Sequence, residues 1–177
     1  MNREEIITAL KEKHNAFIDY TSSLTDEEFS ARYNEKWTAG QQLDHIYRSV
    51  KPLREALLLP KFMLKLVFGK ANRPSRTYEA VVEKYSIKLE SGGKASSKYT
   101  PNSIGIDQKE GLSKSLLKNI KKLSTKINAY TEQELDLIIL PHPLLGKLTL
   151  REMLYFTIYH VEHHTEIIKR NLRNSQN

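Results

Sequence analysis

The sequence predicts an all-α protein, an antiparallel four-helix bundle with a long insert after the second helix. Four segments repeat apolar residues at helical spacing, and three of them begin with a capping-box sequence. The chain has only 7 glycines and 6 prolines, fewer than a turn-rich β architecture uses. Its 177 residues suit one domain, residues 1–177, that buries a continuous core.

The first two helices come from the first third of the chain. Helix 1 is expected over residues 3–20, and the capping box at residues 25–28 opens a short helical turn. Helix 2 begins after Trp37 with a capping box at residues 38–41, and Trp37 is placed to act as a hydrophobic staple. Pro52 interrupts the apolar pattern, so we expect it to kink or divide this helix.

Two long connections alternate with the remaining helices. Residues 60–105 form the insert, which is basic and apolar at first, then helical over residues 78–89, then polar and turn-rich. Helix 3 is expected over residues 107–130, with Asp107 and Glu110 as the ends of its capping box. A second connection leads to helix 4, which opens with the clearest capping box of the chain at Thr149 and runs to about Arg173.

The net charge of +7 raises the question of nucleic acid or membrane binding. On a helical wheel of about 100° per residue, the lysines of helix 3 share one face, opposite its apolar stripe. These lysines are Lys114, Lys118, Lys121 and Lys122. Aromatic residues are not interleaved among them, as base stacking would require. We therefore interpret them as a solvated surface and expect neither nucleic acid nor a membrane as a partner.

The chain has no cysteine, which excludes disulfides, thiolate metal ligands and a cysteine nucleophile. Its first residues lack the continuous apolar segment and the cleavage site of a signal peptide. The longest apolar stretches are too short to span a bilayer. These features together predict a cytoplasmic protein.

Three of the six histidines fall within five residues of helix 4. On the wheel, His160 and His164 lie about 40° apart inside the apolar arc, and His163 lies at its edge. Two imidazoles at this spacing on a buried face would be costly to leave unpaired, and a divalent cation would accept a nitrogen from each. The alternative is that each histidine hydrogen-bonds a buried tyrosine or carboxylate.

A third ligand has to come from another helix. His45 lies on the flank of the apolar stripe of helix 2 and is slightly favoured over His14, which lies among the apolar residues of helix 1. His142, in a loop between two prolines, is a weaker candidate. We expect His163 not to be a ligand, because it lies about 100° from His164 around the helix.

The sequence offers no decisive general base. Val161 follows His160, so the glutamate of a thermolysin-type site is missing. Asp44 lies about 100° around helix 2 from its neighbour His45. The outward arc of helix 4 is expected to carry Arg151, Tyr155, Glu162, Glu166 and Lys169.

Two segments carry a family resemblance. One is Trp-Thr-Ala-Gly-Gln-Gln-Leu-Asp-His, residues 37–45, and the other is Thr-Leu-Arg-Glu-Met from Thr149 followed by His-Val-Glu-His-His, residues 160–164. In these motifs and in the order of its helices, the chain resembles the DinB-like superfamily of small metal-binding bundles. The resemblance implies that His45, His160 and His164 are the metal ligands and that the protein is a homodimer. Many members place Gly-Gln shortly after the double histidine, whereas this chain has Glu166 and Ile167 there.

Three neutral imidazoles leave at least one coordination position of a divalent zinc, nickel or iron ion open. We therefore expect a metal-dependent enzyme that acts on a small-molecule substrate, either a hydrolase or, as the resemblance implies, a low-molecular-weight thiol transferase. Long excursions in compact domains are often functional, so the insert at residues 60–105 is expected to supply pocket walls. The alternatives are a non-catalytic bundle stabilised by its metal and a binding module.

Overall fold

The computed structural model describes residues 1–175. Most of this part of the chain is helical, and its two strands form one short hairpin. The helices are α1 (Arg3–Ser23), α2 (Asp26–Ser30), α3 (Ala39–Ala56), α4 (Lys61–Phe68), α5 (Tyr78–Glu90), α6 (Ile106–Ile127), α7 (Glu132–Leu137) and α8 (Leu150–Ser175), with a 3₁₀ turn at Ser97–Tyr99. The strands are β1 (Ile139–His142) and β2 (Gly146–Thr149).

The four long helices α1, α3, α6 and α8 form the bundle. Helices α1 and α3 each pack against both α6 and α8, so α1 lies diagonally across the bundle from α3, and α6 from α8. Long connections make such a diagonal arrangement accessible, whereas short ones force neighbours in sequence to pack together. The predicted all-α four-helix bundle with a long insert after the second helix is confirmed.

Capping boxes begin three elements where the sequence predicts them. At the start of α3, Thr38 Oγ1 accepts from the Gln41 amide and the Thr38 amide donates to Gln41 Oε1, both at 3.1 Å. Thr25 and Thr149 make the same pair of bonds. The box predicted to start with Asp107 is wrong, because α6 begins at Ile106 and the Gly105 amide donates to Gln108 Oε1.

Pro52 lies inside α3 and does not divide it, since the helix runs without a break from Ala39 to Ala56. Proline removes a single backbone donor, and the other hydrogen bonds of the helix remain to hold it.

Several hydrogen bonds attach the insert to the bundle. Arg73 makes a bidentate pair with Glu152 at the start of α8, with nitrogen to oxygen distances of 2.6 and 2.8 Å. The amide of Asn102 donates to the carboxylate of Asp44 on α3 at 2.8 Å. Between these points α5 packs on α8, and the 3₁₀ turn packs on α3. The insert is thus held against the side of the bundle where α3 and α8 meet.

The second connection is more ordered than the sequence predicts. It contains α7 and the antiparallel hairpin of β1 and β2, in which Ile139 pairs with Thr149 and His142 pairs with Gly146. Gly146 has a φ of 75°, a conformation that favours glycine at this turn. Four-residue strands are too short for alternating hydrophobicity to reveal them.

The first turns of α8 are buried on every side, which corrects the predicted outward arc. Arg151 and Tyr155 are 8% and 4% exposed. Arg151 binds the carboxylates of Glu132 and Asp136 from α7, and Tyr155 donates to the backbone oxygen of Met1. The chain terminus and α7 therefore cover a face that the helical wheel assigns to solvent.

The lysine face of α6 is exposed as predicted, and the opposite apolar stripe lies in the core. None of the helices in residues 1–175 is both long enough and apolar enough to cross a bilayer.

Candidate metal centre

Three histidine side chains meet between α3 and α8. The Nε2 atom of His160 lies 3.2 Å from Nε2 of His45 and 3.0 Å from Nε2 of His164. All three residues are at least 95% buried, and one ring nitrogen from each lies within 4.8 Å of the other two. The structure thus brings together the three predicted residues, and neither His14 nor His142 belongs to this cluster of described residues.

Local structure positions each ring. The capping box at Thr38 fixes the start of α3, and His45 follows two turns later. His160 and His164 lie one turn apart on the buried face of α8. The ring of Trp37 lies 5.0 Å from the His45 ring and stacks at 6.5 Å on the His164 ring. Trp37 therefore covers one side of the cluster.

Hydrogen bonds on the far side of two rings define their tautomers. His45 Nδ1 donates to the carbonyl of Tyr99 at 2.7 Å, and His164 Nδ1 donates to Oε1 of Gln42. Because the proton of each neutral ring is on Nδ1, the Nε2 atoms of His45 and His164 present lone pairs. Both lone pairs point at Nε2 of His160, which carries at most one proton.

The donor set fits a divalent cation. Without a cation, at least two ring nitrogens in the cluster point their lone pairs at each other with no proton between them. This arrangement is costly in a buried site. A cation would accept all three nitrogens, and the bonds to Tyr99 and Gln42 are of the kind that orient histidine ligands.

Burial keeps the three imidazoles neutral, which is the form that binds metals. It lowers the pKa of His160 and His164 well below 6.5, and the charges of the neighbouring imidazoles lower both further. Burial also lowers the pKa of His45, although the hydrogen bond to Tyr99 opposes this effect.

The sequence analysis missed Gln42 and the Tyr99 carbonyl. Gln42 lies one turn before His45 on α3 and is 2% exposed, so its spacing of three residues from a candidate ligand was a usable signal. No such signal existed for Tyr99, because it belongs to the insert and is 54 residues from His45 in sequence.

The acidic residues near the cluster in sequence are engaged elsewhere. Asp44 binds Arg48 Nε at 2.6 Å and the Asn102 amide. Glu162 and Glu166 form ion pairs with Lys13 and Lys169. In residues 1–175 the cluster consists of its three histidines alone, with no carboxylate ligand.

His163 is adjacent to the cluster but outside it. Its ring centroid lies 5.5 Å from that of Tyr85 and 5.4 Å from that of His164, in both cases edge to face. Burial, followed by the charge of Arg170, lowers its pKa. That it is not a ligand stays a prediction.

A cavity of about 310 Å³ opens beside the cluster and reaches His45 and His160. The insert contributes Tyr85, Leu89 and Tyr99 to its walls, as predicted for this segment. The rest is mainly apolar and comes from α1, α3, α8 and the hairpin. A small molecule in this cavity would lie against two of the three clustered histidines.

Comparison with known proteins agrees with this architecture. The sequence profile of the DinB superfamily matches residues 9–168. The fold is similar to that of YfiT from Bacillus subtilis, described as a probable metal-dependent hydrolase with an unusual four-helix bundle topology; the TM-score is 0.56 and the identity 18%, over 98% of this chain and 87% of that one. No functionally curated protein matches the chain. The chain therefore belongs to the DinB superfamily, as its two motifs predicted.

Proposed function

We propose that the protein is a metal-dependent hydrolase whose divalent ion is held by His45, His160 and His164. The observation that carries the proposal is the cavity that reaches this three-histidine cluster. A cluster that only joined two helices would have no need of an adjacent cavity, and a chain of this size buries enough core to fold without a metal. The description of YfiT as a probable metal-dependent hydrolase points to the same class of reaction.

The residues of the site have separate roles. His45, His160 and His164 bind the ion, while Gln42 and the Tyr99 carbonyl hold two of the rings in the tautomer that binding needs. A bound divalent ion supplies Lewis-acid chemistry towards an ester, amide or similar electrophile. The cavity walls exclude water from the apolar part of a small-molecule substrate. Zinc, nickel and iron all suit imidazole ligands.

Metal analysis of single alanine variants tests the ligand set. His45→Ala, His160→Ala and His164→Ala should each reduce the metal content from about one ion per chain to near zero, because two imidazoles hold a divalent ion weakly. His163→Ala is the matched control and should keep its metal. Full metal retention in any of the three ligand variants, or metal loss in His163→Ala, would show that the assignment is wrong.

An activity screen tests the reaction class. Zinc-, nickel- and iron-loaded protein should hydrolyse members of a panel of small aryl esters and amides without any added thiol, and His160→Ala should not. Turnover only with an added low-molecular-weight thiol, with the thiol found in the product, would replace the hydrolase with a thiol transferase. Full metal loading without turnover in either assay would favour the non-catalytic bundle.

We also propose that the protein is a homodimer that pairs through α4. Six of the nine large exposed hydrophobic side chains in the described part of the chain lie on or just before this helix; they are Leu58, Leu59, Phe62, Met63, Leu66 and Val67. Clustered exposed apolar side chains of this kind mark interaction surfaces. One such patch per chain can pack against its own copy about a twofold axis.

A further inference from the structure

A histidine outside the three-histidine cluster also lines the cavity. His14 on α1 lines the cavity and is completely buried. Its Nδ1 donates to the carbonyl of Leu10 at 2.8 Å, so the neutral ring carries a lone pair on Nε2. That Nε2 atom is buried and has no hydrogen-bond partner among the described residues.

The fold itself does not require this imidazole. The Leu10 carbonyl is four residues before His14 in α1, where it accepts the backbone N–H of His14 in the ordinary helical pattern. An unpartnered buried nitrogen costs stability, and an apolar side chain of the same size would avoid that cost. The burial also lowers the pKa of His14 to about 4, so the ring is a neutral hydrogen-bond acceptor at physiological pH.

His142 on β1 has the opposite tautomer. Its Nδ1 accepts from the amides of Leu144 at 3.1 Å and Leu145 at 3.0 Å, so the proton of the neutral ring is on Nε2. His142 lines the same cavity and packs edge to face on Phe156 at 4.3 Å, and Phe156 in turn stacks on His160 at 4.7 Å. The His142 side chain therefore offers the cavity a hydrogen-bond donor.

Two hydroxyl groups of the cavity wall are already engaged within the fold. Ser49 and Thr157 donate their hydroxyl protons to carbonyls of their own helices, each at 2.8 Å. Since the surrounding walls are mainly apolar, the two histidines give the cavity one directed acceptor and one directed donor.

We infer that the cavity binds a small, mainly apolar molecule that donates a hydrogen bond to Nε2 of His14 and accepts one from Nε2–H of His142. A hydroxyl and a carbonyl on one apolar body meet both requirements. This inference rests on the proposed function only in taking the cavity as the substrate site. It assigns His14 and His142 to substrate recognition and leaves the metal to the clustered histidines.

Two pairs of probes test the inference on the zinc-loaded protein by calorimetric titration. Benzyl alcohol and benzyl methyl ether differ in a hydroxyl donor, and the wild type should bind the alcohol about five- to tenfold more tightly, the range that one hydrogen bond gives. Acetophenone and ethylbenzene differ in a carbonyl acceptor, and the same preference is expected for acetophenone. His14→Leu should remove the first preference alone.

His142→Asn should remove the second preference alone. The asparagine carbonyl can replace Nδ1 as acceptor for the amides of Leu144 and Leu145, while the Nε2–H donor is lost. If either ratio stays unchanged in its variant, or if none of the four probes binds at millimolar concentration, the inference is overturned.

Thermal unfolding separates a recognition role of His14 from a structural one. His14→Leu should melt at the same temperature as the wild type or higher, because it removes an unpartnered buried nitrogen. Ser124→Ala is the matched control, since Ser124 Oγ is also buried without a partner among the described residues but does not line the cavity. It should leave both probe ratios unchanged. A lower melting temperature for His14→Leu than for Ser124→Ala would mean a structural role and would overturn the assignment.

Metal content distinguishes failure of this inference from failure of the proposed function. His14→Leu and His142→Asn should each keep about one zinc ion per chain. A wild-type protein that binds no metal but shows both probe preferences would contradict the proposed function and support the inference. Zinc loss in His14→Leu would instead mean that His14 acts on the metal, against the inference.

Discussion

At the scale of single residues, the candidate site depends on hydrogen bonds made by the far nitrogens of its histidines. Gln42 is the side chain that holds the Nδ1 proton of His164, and the backbone of Tyr99 does the same for His45. Without such bonds either tautomer of a neutral imidazole is accessible, and one of them presents N–H instead of a lone pair to the metal.

Gln42→Leu should weaken metal binding about 10- to 100-fold while the fold is kept, the usual effect of removing a partner that orients a ligand. Gln42→Glu should retain most of the affinity, because a carboxylate accepts the same proton. Competition with a chromophoric chelator measures both constants. Equal affinities for wild type and Gln42→Leu would mean that the ring of His164 is positioned by packing alone.

Much of the candidate site could be predicted from the sequence, for reasons that differ between residues. His160 and His164 could be paired because spacing along one helix fixes direction. His45 could not be separated from His14 by the wheel alone, since both lie near apolar stripes and the choice depends on how α1 and α3 sit across the bundle. The free Nε2 of His14 and the tautomer of His142 could not be predicted from the sequence, because each depends on hydrogen-bond geometry in the folded chain.

At the scale of elements, one carboxylate joins two parts of the fold. Glu152 closes the capping box of α8 and also binds Arg73 and Arg76 of the insert, while its own side chain is fully buried. Burial alone would raise the pKa of Glu152, but the Arg73 guanidinium and the amides of Arg76 and Thr149 outweigh it and lower the pKa to about 2.

Glu152→Ala should destabilise the protein by about 2–3 kcal/mol, because it leaves two arginines without their partner and α8 without its cap. This is the low end of the range for buried pairs, since the arginines are about one third exposed. Denaturant unfolding at pH 7 measures the loss. Glu110→Gln, which breaks an exposed pair with Lys114, is the control and should unfold like the wild type.

The ion pairs of Glu152 also make the stability of the protein depend on pH, and the direction of the pKa shift gives the sign. The folded pKa of Glu152 lies below its ordinary value of 4.5, so its contribution is complete above pH 4.5 and is lost as the pH falls towards 2. The difference in stability between wild type and Glu152→Gln should therefore shrink over that interval. A constant difference from pH 7 to pH 2 would contradict the role of the charge.

The elements that the sequence predicted are those with long periodic patterns. Helices α1, α3, α6 and α8 each repeat apolar residues over several turns, and their capping residues located most starts within one or two residues. The hairpin and α7 are too short to produce a period. The burial of Arg151 and Tyr155 was missed because a helical wheel cannot show what the chain terminus and α7 cover.

At the scale of the whole molecule, the core should survive removal of the metal. The four long helices bury a continuous cluster of apolar side chains from end to end, and the three histidines occupy one place in it. Chelation should leave the helical circular dichroism at 25 °C unchanged and lower the melting temperature, because a ligand of the folded state stabilises it by mass action. Loss of helicity on chelation would make the metal a structural requirement.

The proposed homodimer places the apolar surface of α4 at its interface. Phe62 and Leu66 lie one turn apart and are 68% and 81% exposed, so a charge at Leu66 would fall at the centre of the proposed contact. Light scattering should give twice the chain mass of 20.5 kDa for the wild type and the chain mass for Leu66→Glu. Ile87→Glu changes a side chain that is 56% exposed on α5, outside this surface, and should stay dimeric. A wild-type mass near 20.5 kDa at high concentration would reject the dimer, and a dimeric Leu66→Glu would move the interface away from α4.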